Sequence, residues 1–235
     1  MKVSKMLTVY QLAFMPSFFP VNCYLVEEEQ SLTLIDAALP YSAGPILKTS
    51  KQIGKPITHI VLTHAHEDHV GSLDALKKLL PNAVVSISER DALLLQGDRS
   101  LLPSESSSIR GGVPKKVATR PDVLLHHGDC IGSLEVVQTP GHTPGSITLL
   151  DKRSRALIAG DAFQTQGGIA VSGVLQPWFP FPALATWNRA IALESARKLT
   201  SCNPSLLAVG HGKMLPDPAK AMNAAIEACE KRLCS

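Results

Sequence analysis

The chain is poor in cysteine and aromatic residues and has no long apolar run. Among its 235 residues, 5 are cysteines and 5% are aromatic. Scattered cysteines in odd number exclude a disulfide framework, so we expect reduced thiols and a cytoplasmic location. These residues are Cys23, Cys130, Cys202, Cys229 and Cys234. No apolar run approaches membrane-spanning length and no signal-peptide pattern is present, so we expect no membrane partner.

The charge balance excludes a second class of partner. The formal net charge is only +3, and lysine and arginine form no dense stripe. A nucleic-acid-binding surface would need such a stripe to neutralise phosphates. We therefore expect a small-molecule substrate and no nucleic acid, while the oligomeric state stays open.

The spacing of apolar residues predicts a mixed fold of helices and strands. The predicted strands are 6–14, 21–27, 31–36, 58–63, 83–87, 122–125, 131–138, 146–151, 155–160 and 205–209. The predicted helices are 42–53, 70–80, 88–96, 186–200 and 217–231. The segment 97–121, rich in Ser, Gly, Arg and Pro, should be the least structured. We predict one α+β domain over residues 1–235, with two β-halves at about 1–121 and 122–235.

A dense cluster of potential metal ligands follows the apolar run at 60–62. It reads Thr-His-Ala-His-Glu-Asp-His over residues 63–69 and supplies His64, His66, Asp68 and His69. Imidazole and carboxylate groups suit divalent transition metals such as zinc. Because so short a loop cannot enclose two ions by itself, further ligands should lie downstream.

Three further candidate ligands are His142, Asp161 and His211. Each follows a short apolar stretch and is flanked by glycine or proline, which is typical of a loop that leaves a strand end. Any one of them alone is a weak signal, since Gly-His-Gly is often only a turn. Their order and spacing after the first cluster favour one shared site.

With these motifs, the sequence resembles the metallo-β-lactamase superfamily, in the binuclear hydrolase branch that includes glyoxalase II and the N-acyl-homoserine lactonases. The resemblance implies a four-layer αββα sandwich and two divalent metal ions per chain, zinc first, with Mn or Fe as alternatives. It implies one ion on His64, His66 and His142 and a second on Asp68, His69 and His211, with Asp161 bridging them. Asp36, at a strand end, would orient a ligand histidine, or would simply be a buried capping aspartate.

The resemblance also implies the reaction. A metal-bridging hydroxide would attack an ester, lactone or thioester of a small, partly apolar substrate, without a serine or cysteine nucleophile. Asp68 is the candidate to accept and return the proton, although its metal bond would leave it a positioning role as the alternative.

Two aromatic segments are candidates for substrate binding. Phe18 and Phe19 lie in the first, and Gln164, Trp178 and Phe179 lie in the second, which follows Asp161. They would form an apolar wall over the metals, and the alternative is that the rings fill core, above all at Trp187. In the lactonases a tyrosine lies three positions after the bridging aspartate, where this chain has Gln164, and the sequence leaves open whether Gln164 replaces it.

Other interpretations of the same residues remain. An iron-dependent persulfide dioxygenase would use one metal and leave Asp68, His69 and His211 unexplained. An RNA or phosphodiester hydrolase of this fold would need basic surface to hold phosphates. A non-catalytic zinc-stabilised module is a further alternative, although structural zinc sites are usually rich in cysteine. His126 and His127 are predicted to be turn residues rather than ligands.

Overall fold

A computed structural model describes residues 1–115 and 117–233. The chain divides into two compact units. The first comprises Met1–Asp98 and Gly112–Leu125, and the second comprises Arg99–Gly111 and His126–Ser235. Four of the five cysteines are free thiols, and the prediction for Cys234 lies outside the described residues. Whether the two units act as one domain stays a prediction.

The first unit is built on a seven-stranded sheet in the order β1-β2-β3-β4-β5-β6-β7. Its strands are β1 (Lys2–Met6), β2 (Val9–Phe14), β3 (Val21–Glu27), β4 (Leu32–Ile35), β5 (Ile57–Val61), β6 (Val84–Ser88) and β7 (Val123–Leu125). Its helices are α1 (Ala43–Ile53), α2 (Glu67–Val70), α3 (Leu73–Leu79) and α4 (Glu89–Leu95). The strands are antiparallel from β1 to β4 and parallel from β4 to β7.

Parallel pairing places two loops of the first unit side by side. Strands β4 and β5 end in register at Ile35 and Val61, and both are buried except at Thr58 and His59, which are half-buried. The residues that follow therefore leave the sheet at the same edge. Asp36 follows β4, and the histidine cluster follows β5.

The second unit is built on a six-stranded sheet in the order β15-β14-β11-β10-β9-β8, with a separate β12-β13 pair. Its strands are β8 (Cys130–Ile131), β9 (Leu134–Gln138), β10 (Ile147–Asp151), β11 (Ala156–Ile158), β12 (Phe163–Gln164), β13 (Ala170–Val171), β14 (Leu206–Ala208) and β15 (Leu215–Pro216). Its helices are a 3₁₀ turn at Gly160–Ala162, α5 (Phe181–Ala185), α6 (Arg189–Thr200) and α7 (Ala219–Leu233). Apolar residues of α6 and α7 form a core with the inner residues of the strands.

Three strands of this second sheet run in one direction. Strands β11 and β14 are parallel, and β9 has the same direction because β10 is antiparallel to both β9 and β11. Since the carboxyl ends of strands that run the same way meet at one edge, loops that leave β9, β11 and β14 can converge there.

Several predicted elements need correction. The predicted strand 6–14 is shortened by a turn, because Leu7 takes a left-handed conformation (φ 53°) and joins β1 to β2, which begins at Val9. The predicted helix 70–80 is shorter, since α3 covers Leu73–Leu79 and Gly71 before it donates its N–H to the Ala38 carbonyl at 2.8 Å. Helix α6 begins later than predicted, at Arg189, because the Asn188 side chain accepts two N–H groups as an N-cap. The predicted strand 131–138 is interrupted, since β8 ends at Ile131 and β9 begins at Leu134. Sequence analysis missed β1, α2, β12, β13, α5 and β15.

No helix among the described residues is long and apolar enough to cross a membrane.

Candidate metal centre

The first unit brings four predicted ligands together on the loop after β5 and on α2. The rings of His64 and His66 lie 4.9 Å apart, and those of His64 and His69 lie 4.0 Å apart. Asp68 Oδ2 lies 4.0 Å from His69 Nε2, and its side chain is 29% exposed. The three histidines are buried. The cluster therefore presents closely spaced nitrogens beside one partly accessible carboxylate.

Asp36 organises this cluster from the end of the neighbouring strand. Its Oδ1 accepts the Thr63 N–H at 2.7 Å, and its Oδ2 accepts the Thr63 hydroxyl at 2.8 Å. The same Oδ2 lies 2.8 Å from His69 Nδ1, so His69 donates the Nδ1 proton and keeps Nε2 for a metal. Asp36 is 2% exposed and takes a left-handed conformation (φ 61°). Asp36 thus both caps the turn at Thr63 and contacts His69, and its role in orienting a metal ligand stays a prediction.

Thr63 extends the effect of Asp36 to His64. The Thr63 hydroxyl proton is donated to Asp36, so its oxygen can only accept from His64 Nδ1, which lies 3.0 Å away. His64 thereby also carries its proton on Nδ1. One carboxylate thus fixes the tautomers of two histidines.

The other three predicted ligands meet in the second unit. Strands β11 and β14 are in register at Ile158 and Ala208, and Asp161 and His211 each lie three positions further along. Asp161 Oδ2 is 3.2 Å from His211 Nε2 and 3.3 Å from His142 Nε2. All three residues are at most 5% exposed. The edge of this sheet therefore gathers one carboxylate between two imidazoles.

Two glycines allow the loops that carry these histidines. Gly141 has φ 140°, and a Cβ at this position would lie 2.4 Å from the Cα of Ala192 in α6. Gly212 has φ 115°, and a Cβ there would lie 2.3 Å from Thr165 Oγ1. Any side chain at either position would push the loop away from the element it packs against.

The donor set and its spacing fit divalent transition metals. In the first unit, the ligand atoms of His64 lie within 4.8 Å of those of His66 and His69. Two ligands each about 2.1 Å from a tetrahedral ion lie about 3.4 Å apart, close to the two nitrogen-to-oxygen distances around Asp161. Imidazole and carboxylate groups without cysteine suit Zn, Mn or Fe. The residues present therefore fit a site for such ions.

The candidate substrate residues differ in exposure. Gln164 is 3% exposed, its Nε2 donates to the Phe179 carbonyl at 3.4 Å, and its Oε1 has no hydrogen-bond partner. The Phe179 ring is buried 5.2 Å from the ring of His211. Trp178 and Phe18 are 87% and 83% exposed, and Phe19 is half-buried. Of these residues, Phe179 lies beside the predicted ligand His211 in its own unit, and Gln164 is bonded to the Phe179 carbonyl.

Trp187 has a different environment. It is 7% exposed, and its Nε1 donates to the Ser107 carbonyl at 2.7 Å. The ring therefore fills core. Its hydrogen bond also anchors the segment 97–121, which was predicted to be the least structured part of the chain.

A cavity in the first unit adjoins a predicted ligand. Its volume is about 540 Å³, and its lining is mixed, with the acidic residues Glu67, Asp68 and Asp74 beside the apolar residues Leu39, Pro40, Val70, Pro114 and Val117. Apolar side chains beside a ligand carboxylate form a space in which a partly apolar molecule can bind. Sequence analysis did not foresee this cavity.

Sequence analysis also missed the hydroxyl groups beside the ligands. His142 Nδ1 lies 3.0 Å from Ser172 Oγ and 3.3 Å from Thr186 Oγ1. Buried threonines near a strand end carry no distinctive spacing, so only Thr63, directly before His64, offered a local signal. His126 and His127 are exposed, and the His126 N–H donates to the Asp129 carboxylate in a turn, as predicted.

The sequence matches a family model and two bacterial proteins. The model, named Metallo-beta-lactamase superfamily, matches residues 16–211. The protein YobT from Bacillus subtilis strain 168 is 56% identical and aligns over 98% of this chain and 100% of its own length. The "Probable metallo-hydrolase YflN" from the same strain is 31% identical over 91% of this chain and 88% of its own length.

Solved structures show the same fold. TTHA1623 in a di-iron-bound form has a TM-score of 0.65 at 24% identity and covers 90% of this chain and 96% of its own. A metallo-beta-lactamase from Pontibacter korlensis has a TM-score of 0.75 at 17% identity, with 97% and 98% covered. The predicted α+β class and metallo-β-lactamase fold are confirmed. Both the match of the family model over most of the chain and the likeness to YflN identify the protein as a member of the metallo-β-lactamase superfamily.

Proposed function

We propose that the protein is a metal-dependent hydrolase that cleaves an ester, lactone or thioester of a small, partly apolar substrate. The observation that carries this proposal is the position of Asp161, whose Oδ2 lies between His142 Nε2 and His211 Nε2 at 3.3 and 3.2 Å. A carboxylate has a second oxygen, so Asp161 can bridge two ions. The name of YflN agrees with hydrolysis.

Two divalent ions would complete the proposed site, and zinc is the first candidate for their identity. His64, His66 and His142 would hold one ion, and Asp68, His69 and His211 would hold the other. When bound, the ions would lower the pKa of a water between them towards about 7 and polarise the substrate carbonyl. Manganese or iron would suit the same donors.

The residues around the ions would perform the remaining tasks. Asp36 holds His69 and, through Thr63, His64 in the tautomer that leaves Nε2 available. Asp68 is the one ligand in the first unit that is partly exposed, at 29% of its side chain. It can therefore accept a proton from the attacking water and return it to the leaving group.

The substrate would be recognised by two features. The cavity beside Asp68, whose lining combines apolar residues with Glu67 and Asp74, suits a molecule that is only partly apolar. The Oε1 atom of Gln164 is a buried acceptor without a partner, which costs about 1–3 kcal/mol when nothing satisfies it. A substrate that donates an N–H or O–H beside its carbonyl would satisfy this atom. Phe18, Phe19, Trp178 and Phe179 would add apolar contacts.

The proposal also extends to the setting of the protein. The described cysteines are free, which agrees with a reducing compartment, and we propose the cytoplasm. A small molecule is the proposed partner.

The test combines metal analysis with a hydrolysis screen of lactones, thioesters, carboxylic esters, β-lactams and phosphodiesters. We expect two ions per chain after zinc loading and the fastest turnover on a carboxylic ester, lactone or thioester. Asp161→Asn should lose one ion and at least 100-fold in kcat, because the bridge between the ions is weakened. Asp217→Asn, at an exposed position in the same unit, is the matched control and should behave as wild type.

Other outcomes would overturn the proposal. One ion per chain together with oxygen uptake on a persulfide would identify a dioxygenase. Faster cleavage of a phosphodiester than of every acyl substrate would mean that the substrate class is wrong. Full binding of two ions without any turnover would indicate a zinc-stabilised module.

A further inference from the structure

We propose that Ser172 and Thr186 position the ring of His142 through a directed chain of hydrogen bonds that ends on a backbone carbonyl. The inference rests on the proposed function, because it takes His142 to be a metal ligand. Ser172, Thr186 and His142 are 3%, 2% and 2% exposed. They come from three separate stretches: the loop after β9, the residue after β13 and the residue after α5.

The last link of the chain has a fixed direction. Thr186 Oγ1 lies 2.7 Å from the carbonyl oxygen of Pro182. A carbonyl can only accept, so the single hydroxyl proton of Thr186 is donated there. Thr186 can then only accept from its other neighbours.

Ser172 is the middle link, and its direction follows from the last one. Ser172 Oγ lies 2.9 Å from Thr186 Oγ1. Because Thr186 has no proton left to give, Ser172 donates its own proton to Thr186. Both hydroxyl protons are then used, so the two oxygens can only accept a hydrogen bond from His142.

His142 must therefore carry its ring proton on Nδ1. That nitrogen lies 3.0 Å from Ser172 Oγ and 3.3 Å from Thr186 Oγ1. The proton on Nδ1 leaves the lone pair on Nε2, which faces Asp161 Oδ2 at 3.3 Å. Neutral imidazole binds a metal through its unprotonated nitrogen. The hydroxyl chain thus selects the metal-binding tautomer of His142 and fixes the plane of its ring.

A purely structural role would explain only part of this arrangement. A threonine hydroxyl often bonds to the carbonyl four residues earlier, as Thr186 does to Pro182. This common local hydrogen bond does not explain why the Ser172 hydroxyl lies within hydrogen-bonding distance of both Thr186 and His142. The Ser172 N–H also donates to the Ala162 carbonyl at 3.0 Å, which anchors Ser172 next to Asp161.

The chain also ties His142 to the segment that carries the candidate substrate wall. Pro182 lies in α5, three positions after Phe179, and the Trp187 N–H donates to the His142 carbonyl at 2.9 Å. A displacement of α5 would therefore move the acceptor on which the tautomer depends. Substrate contact with this segment and the affinity of His142 for metal should be coupled.

The test uses Thr186→Val, Thr186→Ser and the control Thr148→Val. Valine keeps the shape of Thr186 but removes its hydroxyl, so Ser172 is free to donate to His142 Nδ1 and the ring proton should move to Nε2. Thr148 lies in β10, is fully buried and bonds to Thr139, so its variant loses a comparable hydroxyl. The readouts are zinc affinity by competition with a chromogenic chelator, and the ¹⁵N NMR shifts of the His142 ring in zinc-free protein.

We expect Thr186→Val to bind zinc about 10–100-fold more weakly, as is usual for loss of a group that orients a ligand. Its His142 shifts should change to the Nε2–H pattern. Thr186→Ser should restore both readouts, and Thr148→Val should leave both unchanged even where its melting temperature falls.

Two outcomes separate this inference from the proposed function. If Thr186→Val keeps the Nδ1–H pattern and the zinc affinity of wild type, the hydroxyl chain is only structural and the inference is wrong. If His142→Ala binds zinc as tightly as wild type, His142 is not a ligand and the proposed function fails, while the ¹⁵N shifts still decide the direction of the hydrogen bonds.

Discussion

Asp36 shows how much of the candidate site depends on one side chain that binds no metal. Its two oxygens accept three hydrogen bonds, one of them from the candidate ligand His69. Its backbone is left-handed, with φ 61°. Asparagine tolerates this conformation better than most residues, so the charge can be removed without adding backbone strain.

We predict that Asp36→Asn weakens zinc binding by about 10–100-fold while the protein stays folded. An amide nitrogen would face His69 Nδ1 and donate to it, which would move the ring proton to Nε2. Chelator competition and circular dichroism provide the measurement. Asp74→Asn is a matched control, since Asp74 also accepts the N–H and hydroxyl of a threonine, Thr119. Equal zinc affinity in the two variants would contradict the role of Asp36.

Among the elements, the β1–β2 hairpin pairs with β3 along β2, and Glu27 at the end of β3 adds a charged contact to it. The Glu27 carboxylate bonds Lys5 Nζ at 2.8 Å and Lys55 Nζ at 2.9 Å. The hydrogen bond from Lys5, followed by that from Lys55, lowers the pKa of Glu27 from 4.5 to about 2. Because the folded pKa is depressed, the stabilisation is present above pH 4.5 and is lost as the pH falls towards 2.

We predict that Glu27→Gln lowers the melting temperature by about 2–4 °C at pH 7, for a loss of about 1 kcal/mol after discounting for solvent. The difference from wild type should shrink as the pH falls from 4.5 towards 2. Thermal melts across this pH range would measure it. Glu29→Gln, at an exposed position two residues further on, should show no such pH-dependent difference. A constant difference at all pH values would mean that packing, and not charge, explains the loss.

The elements also show what the sequence could predict. The candidate ligands His64, His66, Asp68 and His69 lie within six positions, on the loop after β5 and on α2, so their spacing was sufficient to predict them. Ser172 and Thr186 lie 30 and 44 positions after His142, and only the folded chain brings them to it. The turn at Leu7 was hidden because a leucine rarely takes a left-handed conformation. Local patterns thus predict ligands and long elements, whereas contacts between distant segments need the structure.

At the scale of the whole molecule, bound metal should contribute to stability. A ligand that binds only the folded state stabilises it by RT ln(1 + [L]/Kd), or about 4 kcal/mol at 1,000 times Kd. We predict that removal of metal by a chelator lowers the melting temperature by roughly 10 °C and that added zinc restores it. Asp161→Asn should show a smaller difference between its metal-loaded and chelated forms. An identical melting temperature with and without metal would contradict the proposed site.

The parallel pairing of β11 and β14 has a consequence for the time course of folding. Ile158 and Ala208 are neighbours in the sheet although they are far apart in the sequence. Such pairings form slowly, because a long loop must close first. Asp161 and His211 each lie three positions beyond this pair, so they can come together only once the slow pairing has formed. Metal bound there would leave the folding rate nearly unchanged and slow unfolding instead. The metal-bound protein would therefore stay folded because it unfolds slowly, and not because it folds faster.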